Sequence, residues 1–239
     1  MNTINNVRKY NDGFKTQNNI GPYVQIGHIV YKTSLSLSTK LIYAYLKSFM
    51  DNKSGKAKVS YETLAKFSGY SDRKLRNSIT TLENDGIITI KKRSLKLRNG
   101  VYSTFNEYSF MEDDRYERVT KGFLENKIMD NKDKEFVLGL ILHLLPNDCI
   151  GSLERPAYHS LIKKWLEDQS GSPMSESTLK RRLKSLKSKK LIIDHDSRYF
   201  ERNDYVWTGY KFNMFKIMNI TYNGLPKYKN DLIFEGYGY

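Results

Sequence analysis

Apolar positions along this chain recur at two periods, and the changes of period mark the elements. The clearest stretch is residues 59–93. Leu64, Ala65 and Phe67 suit one face of a short helix, which Ser60 can cap and Gly69 can end, since glycine takes positive φ at little cost. Ser71 then starts a second helix, in which Leu75, Ile79 and Leu82 recur at i, i+4 and i+7 along one buried stripe. Asp85-Gly86 closes it, and the period drops to two. Residues 87–90 read as a strand, the basic run Lys91, Lys92 and Arg93 follows, Asn99-Gly100 is a tight-turn pair, and residues 101–110 alternate as a returning strand. Helix, short turn, helix and β-hairpin in this order predict a winged helix-turn-helix.

Around this stretch the pattern is weaker. Residues 1–21 are polar and Asn-rich and read as an arm. Residues 23–31 alternate as a strand carrying His28, expected to pair with the wing hairpin as its third strand. Ser38 is placed to cap a supporting helix whose stripe is Leu41, Ile42, Tyr45, Leu46 and Phe49, with Leu37 and Ile42 as a hydrophobic staple. Residues 51–58 read as a polar loop. Its Gly55-Lys56 has neither a hydroxyl residue after the lysine nor a glycine five residues upstream, so it is no phosphate-binding loop. In the charged stretch 113–132, Phe123, Leu124, Ile128 and Met129 fall at helical spacing and predict a linker helix.

The second half repeats the first. The segment SESTLKRRLKSLKSKKLIID from Ser175 superposes on SDRKLRNSITTLENDGIITI from Ser71 at an offset of 104. Leu179, Leu183 and Leu186 then match Leu75, Ile79 and Leu82, and the serine caps coincide. Upstream, residues 134–145 and 156–167 read as two helices. Downstream, residues 198–204 read as a wing tip and 205–217 as a long returning strand. The connection 167–174 is longer than the turn Ser68-Gly69-Tyr70. The fold class expected is therefore α+β: an arm (1–21), a winged-helix domain (22–112), a linker helix (113–132), a second winged-helix domain (133–218) and a tail (219–239).

Charge changes the picture. The chain of 239 residues carries 40 Lys+Arg against 26 Asp+Glu, a formal net charge of +14, which favours a polyanionic partner. High Asn, Lys, Ile and Tyr content also fits an AT-rich coding sequence, and a lysine-rich background is the alternative source of part of the excess. The charge is placed with some order. Arg73, Asn77 and Thr80 lie opposite the first buried stripe, with Lys74 and Arg76 beside them. Arginine and asparagine are the residue types that pair bidentately with guanine and adenine edges. In the second helix Ser177, Lys180, Arg181, Lys184 and Ser188 face outward and Lys187 adds to the basic set, which is suited to phosphates as much as to bases. Lys91, Lys92 and Arg93 of the first hairpin and Arg198 of the second complete the expected DNA-binding set. The alternative for all of them is a solvated polar face.

The phrase LAKFSGYSDRKLRNSITTLENDGII at 64–88 resembles the winged-helix domains of plasmid and phage replication proteins and of small bacterial regulators, whose usual pattern is eLA…lG.s..tvr..i..Le..GlI. The resemblance covers roughly residues 22–110. It implies a protein that binds double-stranded DNA, foremost a replication initiator at its origin. A transcriptional regulator or a plasmid-transfer accessory factor is the alternative, and an interaction module with a single DNA-binding head is a third reading. A homodimer and contacts with replication or transfer machinery stay open as partners.

No enzyme is expected, and no cofactor or metal. His28, His143, His159 and His195 are dispersed, and the single Cys149 leaves no zinc-like spacing and no intramolecular disulfide. The N-terminus lacks the apolar core of a signal peptide, and the longest apolar run, 136–145, is too short to cross a bilayer. A soluble cytoplasmic protein without membrane contact is expected.

Overall fold

The computed structural model describes residues 22–96, 102–143, 154–158, 162, 175–200, 205–213 and 216–217. Among them helices combine with three antiparallel sheets. Strand β1 (Tyr23–Gly27) runs into the short helix α1 (His28–Lys32), and α2 (Leu37–Ser48) follows. Strands β2 (Met50–Asp51) and β3 (Lys56–Val59) precede the helix pair α3 (Tyr61–Ser68) and α4 (Asp72–Asn84). Strands β4 (Ile88–Lys96) and β5 (Tyr102–Phe110) form the hairpin behind that pair.

The supporting helix α2 is more deeply buried than an amphipathic stripe implies. Every residue at positions 38–46 is buried, because β1, β3, α3 and α4 all pack around it. Its cap is Ser36 rather than Ser38: Ser36 Oγ accepts the Thr39 N–H at 3.2 Å, and Ser38 is the second residue inside the helix.

Strand pairing departs from the expected scheme. The third strand of the wing sheet is β3, from the stretch expected to be a loop, and the sheet order is β2-β3-β5-β4. The alternation Lys56-Ala57-Lys58-Val59 explains it, since Ala57 and Val59 are buried while Lys58 is exposed. β1 pairs instead with β6 (Tyr116–Thr120), and His28 opens α1 rather than lying in a strand. The linker helix expected over 113–132 does not form. That stretch holds β6, the short helix α5 (Lys121–Glu125) and the start of α6 (Asn131–His143). Asp113 starts the departure, with its carboxylate accepting the Ile29 N–H at 2.7 Å and the Arg115 N–H at 3.0 Å, which lays the following residues alongside β1. Of the four apolar positions read as a helix face, Phe123, Leu124 and Met129 are buried and Ile128 is exposed.

The run β6-α5-α6 has the order of β1-α1-α2, at an offset of 93 to 94 residues. The strands match end to end, and the Ser36 cap is replaced by Asp130, whose Oδ1 accepts the Asp133 N–H at 2.8 Å. A buried lysine stands four residues after each cap, Lys40 and Lys134. Beyond α6 come β7 (Glu154–Tyr158), α7 (Glu176–Ser188), β8 (Ile192–Phe200) and β9 (Tyr205–Asn213), with sheet order β7-β9-β8. The helix expected over 156–167 therefore begins as a strand. Pro156 sits in β7 at the sheet edge, where a missing N–H is tolerated. Of the remainder only Ile162 is described, helical and buried. The returning strand ends at Asn213, and Lys216 and Ile217 are helical. The arm, the turn pair Asn99-Gly100, the connection 167–174 and the tail lie outside the described residues.

Leu75, Ile79 and Leu82 of α4 are fully buried, each contributing roughly 1.5–3 kcal/mol of apolar burial. Leu179, Leu183 and Leu186 of α7 join Phe136, Val137 and Leu140 of α6 in the same continuous core.

Candidate nucleic-acid interface

Two helices, α4 and α7, present exposed polar faces, and their local frames agree. Ser71 Oγ accepts the Lys74 N–H at 3.3 Å to start α4, and Ser175 Oγ accepts the Thr178 N–H at 3.3 Å to start α7. Both ends close in the same Schellman arrangement. Ile87 N–H donates to Leu82 O and Gly86 N–H to Glu83 O, each at 2.9 Å, with Gly86 at φ +69°. In α7, Leu191 N–H donates to Leu186 O and Lys190 N–H to Lys187 O, each at 2.9 Å. Lys190 occupies the left-handed position at φ +55°, a conformation that costs a residue with a Cβ.

On α4 the structure exposes Arg73, Arg76, Asn77 and Thr80 together, while Lys74 is half-buried. Arg73, Asn77 and Thr80 follow one another at i, i+4 and i+7 opposite the buried stripe. Arg76 is already engaged. Its Nε donates to Asp72 Oδ2 at 2.6 Å, and its guanidinium lies 4.3 Å from the Tyr61 ring centroid on α3. Ser78, a position the stripe alone left unassigned, is buried and accepts a hydrogen bond from Thr39 Oγ1 of α2 at 3.3 Å. Phe67, expected in the α3 core, is exposed on one side and packs edge-to-face with Tyr45 and Phe49.

Lys91, Lys92 and Arg93 are exposed, but they lie within β4 rather than beyond it. Lys91 stands opposite Glu107 in the ladder, and Lys58 of β3 stands opposite it on the other side. Glu107 Oε1 also accepts from Arg93 Nη2 at 3.3 Å and from Lys56 Nζ at 3.4 Å. Burial pushes the Glu107 carboxyl up, yet the Arg93 and Lys56 contacts outweigh it and hold the group below the usual carboxylate range. The wing sheet thus carries four cations around one carboxylate, two of them from β3.

On α7, Ser177, Lys180, Arg181, Lys184 and Lys187 are exposed on the outer side, and Lys180 faces Glu176 at 3.6 Å. Arg198 is not at a wing tip: it sits within β8 opposite Trp207. Two further basic residues of this segment point inward. Arg182 Nη1 stands 3.7 Å from Oδ1 of the fully buried Asp133, and Lys189 Nζ and Ser185 Oγ bond its Oδ2, the latter at 3.0 Å. That carboxylate lies 49 or more residues upstream, and nothing in the local pattern around α7 points to it. The same helix turn also reaches the α3–α4 pair. Asn131 Nδ2 donates to Ser68 O at 2.9 Å, and Tyr70 Oη donates to Glu135 Oε1 at 2.7 Å, so α6 holds the turn between α3 and α4.

Among the described residues no group of His, Cys, Asp and Glu is placed to hold a metal ion, and no helix is long and apolar enough to cross a membrane. A comparison with curated proteins finds no match for the chain. A family model described as a helix-turn-helix domain matches residues 33–88, from just after α1 to the first residue of β4. The chain therefore contains a helix-turn-helix domain, and α3, the turn at Gly69 and α4 are its two helices and connection.

Proposed function

We propose that this protein binds double-stranded DNA through two winged-helix units in tandem, reading bases with α4 and gripping phosphates with α7 and the wing strands. The observation that carries this is the exposed row Arg73, Asn77 and Thr80 on the second helix of a matched helix-turn-helix domain. Arginine and asparagine there suit guanine and adenine edges in the major groove. The lysines of α7 add sequence-independent attraction to the backbone. In this reading the protein has no catalytic role and acts in the cytoplasm. Its place is the replication origin of a plasmid or phage, which the resemblance of residues 64–88 favours over a promoter or a transfer origin.

The experiment is a pair of isotherms, on a duplex selected from a random pool and on random duplex. Arg73→Ala or Asn77→Ala should cost about 1–3 kcal/mol on the selected site and little on random DNA. Equal losses on both duplexes would mean that these side chains touch only backbone.

A further inference from the structure

We infer that Arg76 reads a guanine in the target duplex, and that Asp72 and Tyr61 are the positioning residues that hold it for this; the inference rests on the reading of α4 as a DNA-facing helix. Arg76 borders the exposed row on the helix surface, three residues after Arg73 and four before Thr80, on the side nearest α3. Its side chain is 58% exposed and yet fixed at two points. Nε donates to Asp72 Oδ2 at 2.6 Å, and the Tyr61 ring lies 4.3 Å from the guanidinium carbon. Tyr61 is itself held. It is half-buried at the start of α3 and shares a hydrogen bond with the fully buried Tyr108 of β5, whose Oη accepts from Asn106 Nδ2 at 3.0 Å. The first helix of the pair and the wing strand thus set where an arginine of the second helix points.

The chemistry left to that arginine is narrow. A guanidinium carries its five N–H donors in a rigid planar fork. Asp72 takes the Nε–H and Tyr61 covers one face, which leaves the parallel pair of N–H groups at the tip, one on Nη1 and one on Nη2. Two kinds of acceptor match that tip: the O6 and N7 of a guanine, and a pair of phosphate oxygens. The carboxylate decides between them. Asp72 already neutralises the guanidinium, and its charge repels an incoming phosphate, whereas a guanine edge carries no net charge.

Entropy favours the same choice. A side chain held from two sides has less freedom to lose on binding than an untethered arginine, so its two bonds count more fully toward discrimination. An exposed ion pair one helical turn apart adds little to folding stability, so the loss of Asp72 should be felt in binding rather than in the fold.

The test uses the full chain, a duplex selected from a random pool, and random duplex. In the selected duplex each guanine in turn is replaced by 7-deazaguanine, which keeps O6 and lacks the N7 acceptor. Arg76→Ala should lose about tenfold or more on the selected duplex and little on random duplex. One deaza substitution that weakens the wild-type chain should then cost the variant nothing, while the penalties at other guanines persist. Asp72→Ala and Tyr61→Leu should shrink that same single penalty, and Tyr61→Phe, which keeps the ring, should retain it. Urea unfolding accompanies each variant: a merely structural role would lower the midpoint and leave the penalty in place. Two results overturn the inference while leaving DNA binding intact. Arg76→Ala may weaken neither duplex selectively, with equal losses on both and a salt slope shallower by about one, the mark of a phosphate contact; or it leaves every deaza penalty in place. If the whole chain binds no duplex at all, the reading of α4 falls first and the inference with it.

Discussion

Asp133 is the residue whose loss should be felt furthest from its position. It is fully buried in the first turn of α6, with Ser185 and Lys189 on Oδ2 and Arg182 beside Oδ1. Asp133→Asn keeps the shape and removes the charge, leaving Arg182 without its counter-ion and Lys189 with only Asp130, 3.9 Å away. Removing one partner of a fully buried pair costs about 3–5 kcal/mol. Here the side chains of Arg182 and Lys189 are 18% and 26% exposed, so both can turn toward water and recover part of that. The expected loss is about 2 kcal/mol. Urea unfolding followed by circular dichroism should show a lower midpoint at unchanged slope. A cycle with Lys189→Met isolates the pair, and its coupling should be about 1–2 kcal/mol. Additive effects, or a loss for Asp133→Asn below about 0.5 kcal/mol, would refute the idea that this carboxylate anchors α7.

Three further outcomes are expected. Lys190→Gly should stabilise the chain by about 1 kcal/mol, because φ +55° is free to glycine and strained for lysine; an unchanged urea midpoint would count against it. Burial pushes the Lys40 and Lys134 ammonium groups down to about 8. These folded values lie below the unfolded value of about 10.4, so the unfolded chain holds more protons between the two. Stability should therefore rise as pH goes from about 8 toward 10, the burial cost being present in full below that window. Urea midpoints across that range should climb, less steeply in Lys134→Met, and a flat profile would contradict the burial. Finally, truncating Arg181 and Lys184 to alanine should weaken selected and random duplex alike and make the salt slope shallower by about two. The same truncation of Asn77 and Thr80 should leave the slope unchanged.

What the sequence made legible was local. The caps at Ser60, Ser71 and Ser175 and the stripes of α4 and α7 stand in the structure where side-chain chemistry and period put them. Pairing over distance was not legible. The partner of β1 lies in β6, whose Tyr-Glu-Arg-Val-Thr run is embedded in charges and buries only Val119 and Thr120. The opening of the second unit is not legible in the sequence because its matches are chemical rather than literal: Asp130 caps where Ser36 does, and Asp133 stands where Thr39 does. β7 was hidden by Pro156, which reads as a helix start until the strand is known to be an edge. The candidate DNA-facing residues of α4 were legible because solvent exposure follows directly from the stripe opposite. Asp133 was not, since a buried counter-ion announces itself only through the partners that the fold brings to it.

The central claim, that this is a DNA-binding protein, is tested most directly by the affinity of the whole chain for duplex DNA as a function of salt. With roughly 6–10 phosphates contacted by α4, α7 and the wing strands, affinity should fall about a thousandfold or more between about 50 and 200 mM salt. The logarithm of the binding constant should be linear in the logarithm of salt, with a slope near −0.9 for each phosphate. A titration that stays flat across this range would contradict the account, whatever the affinity at its starting point.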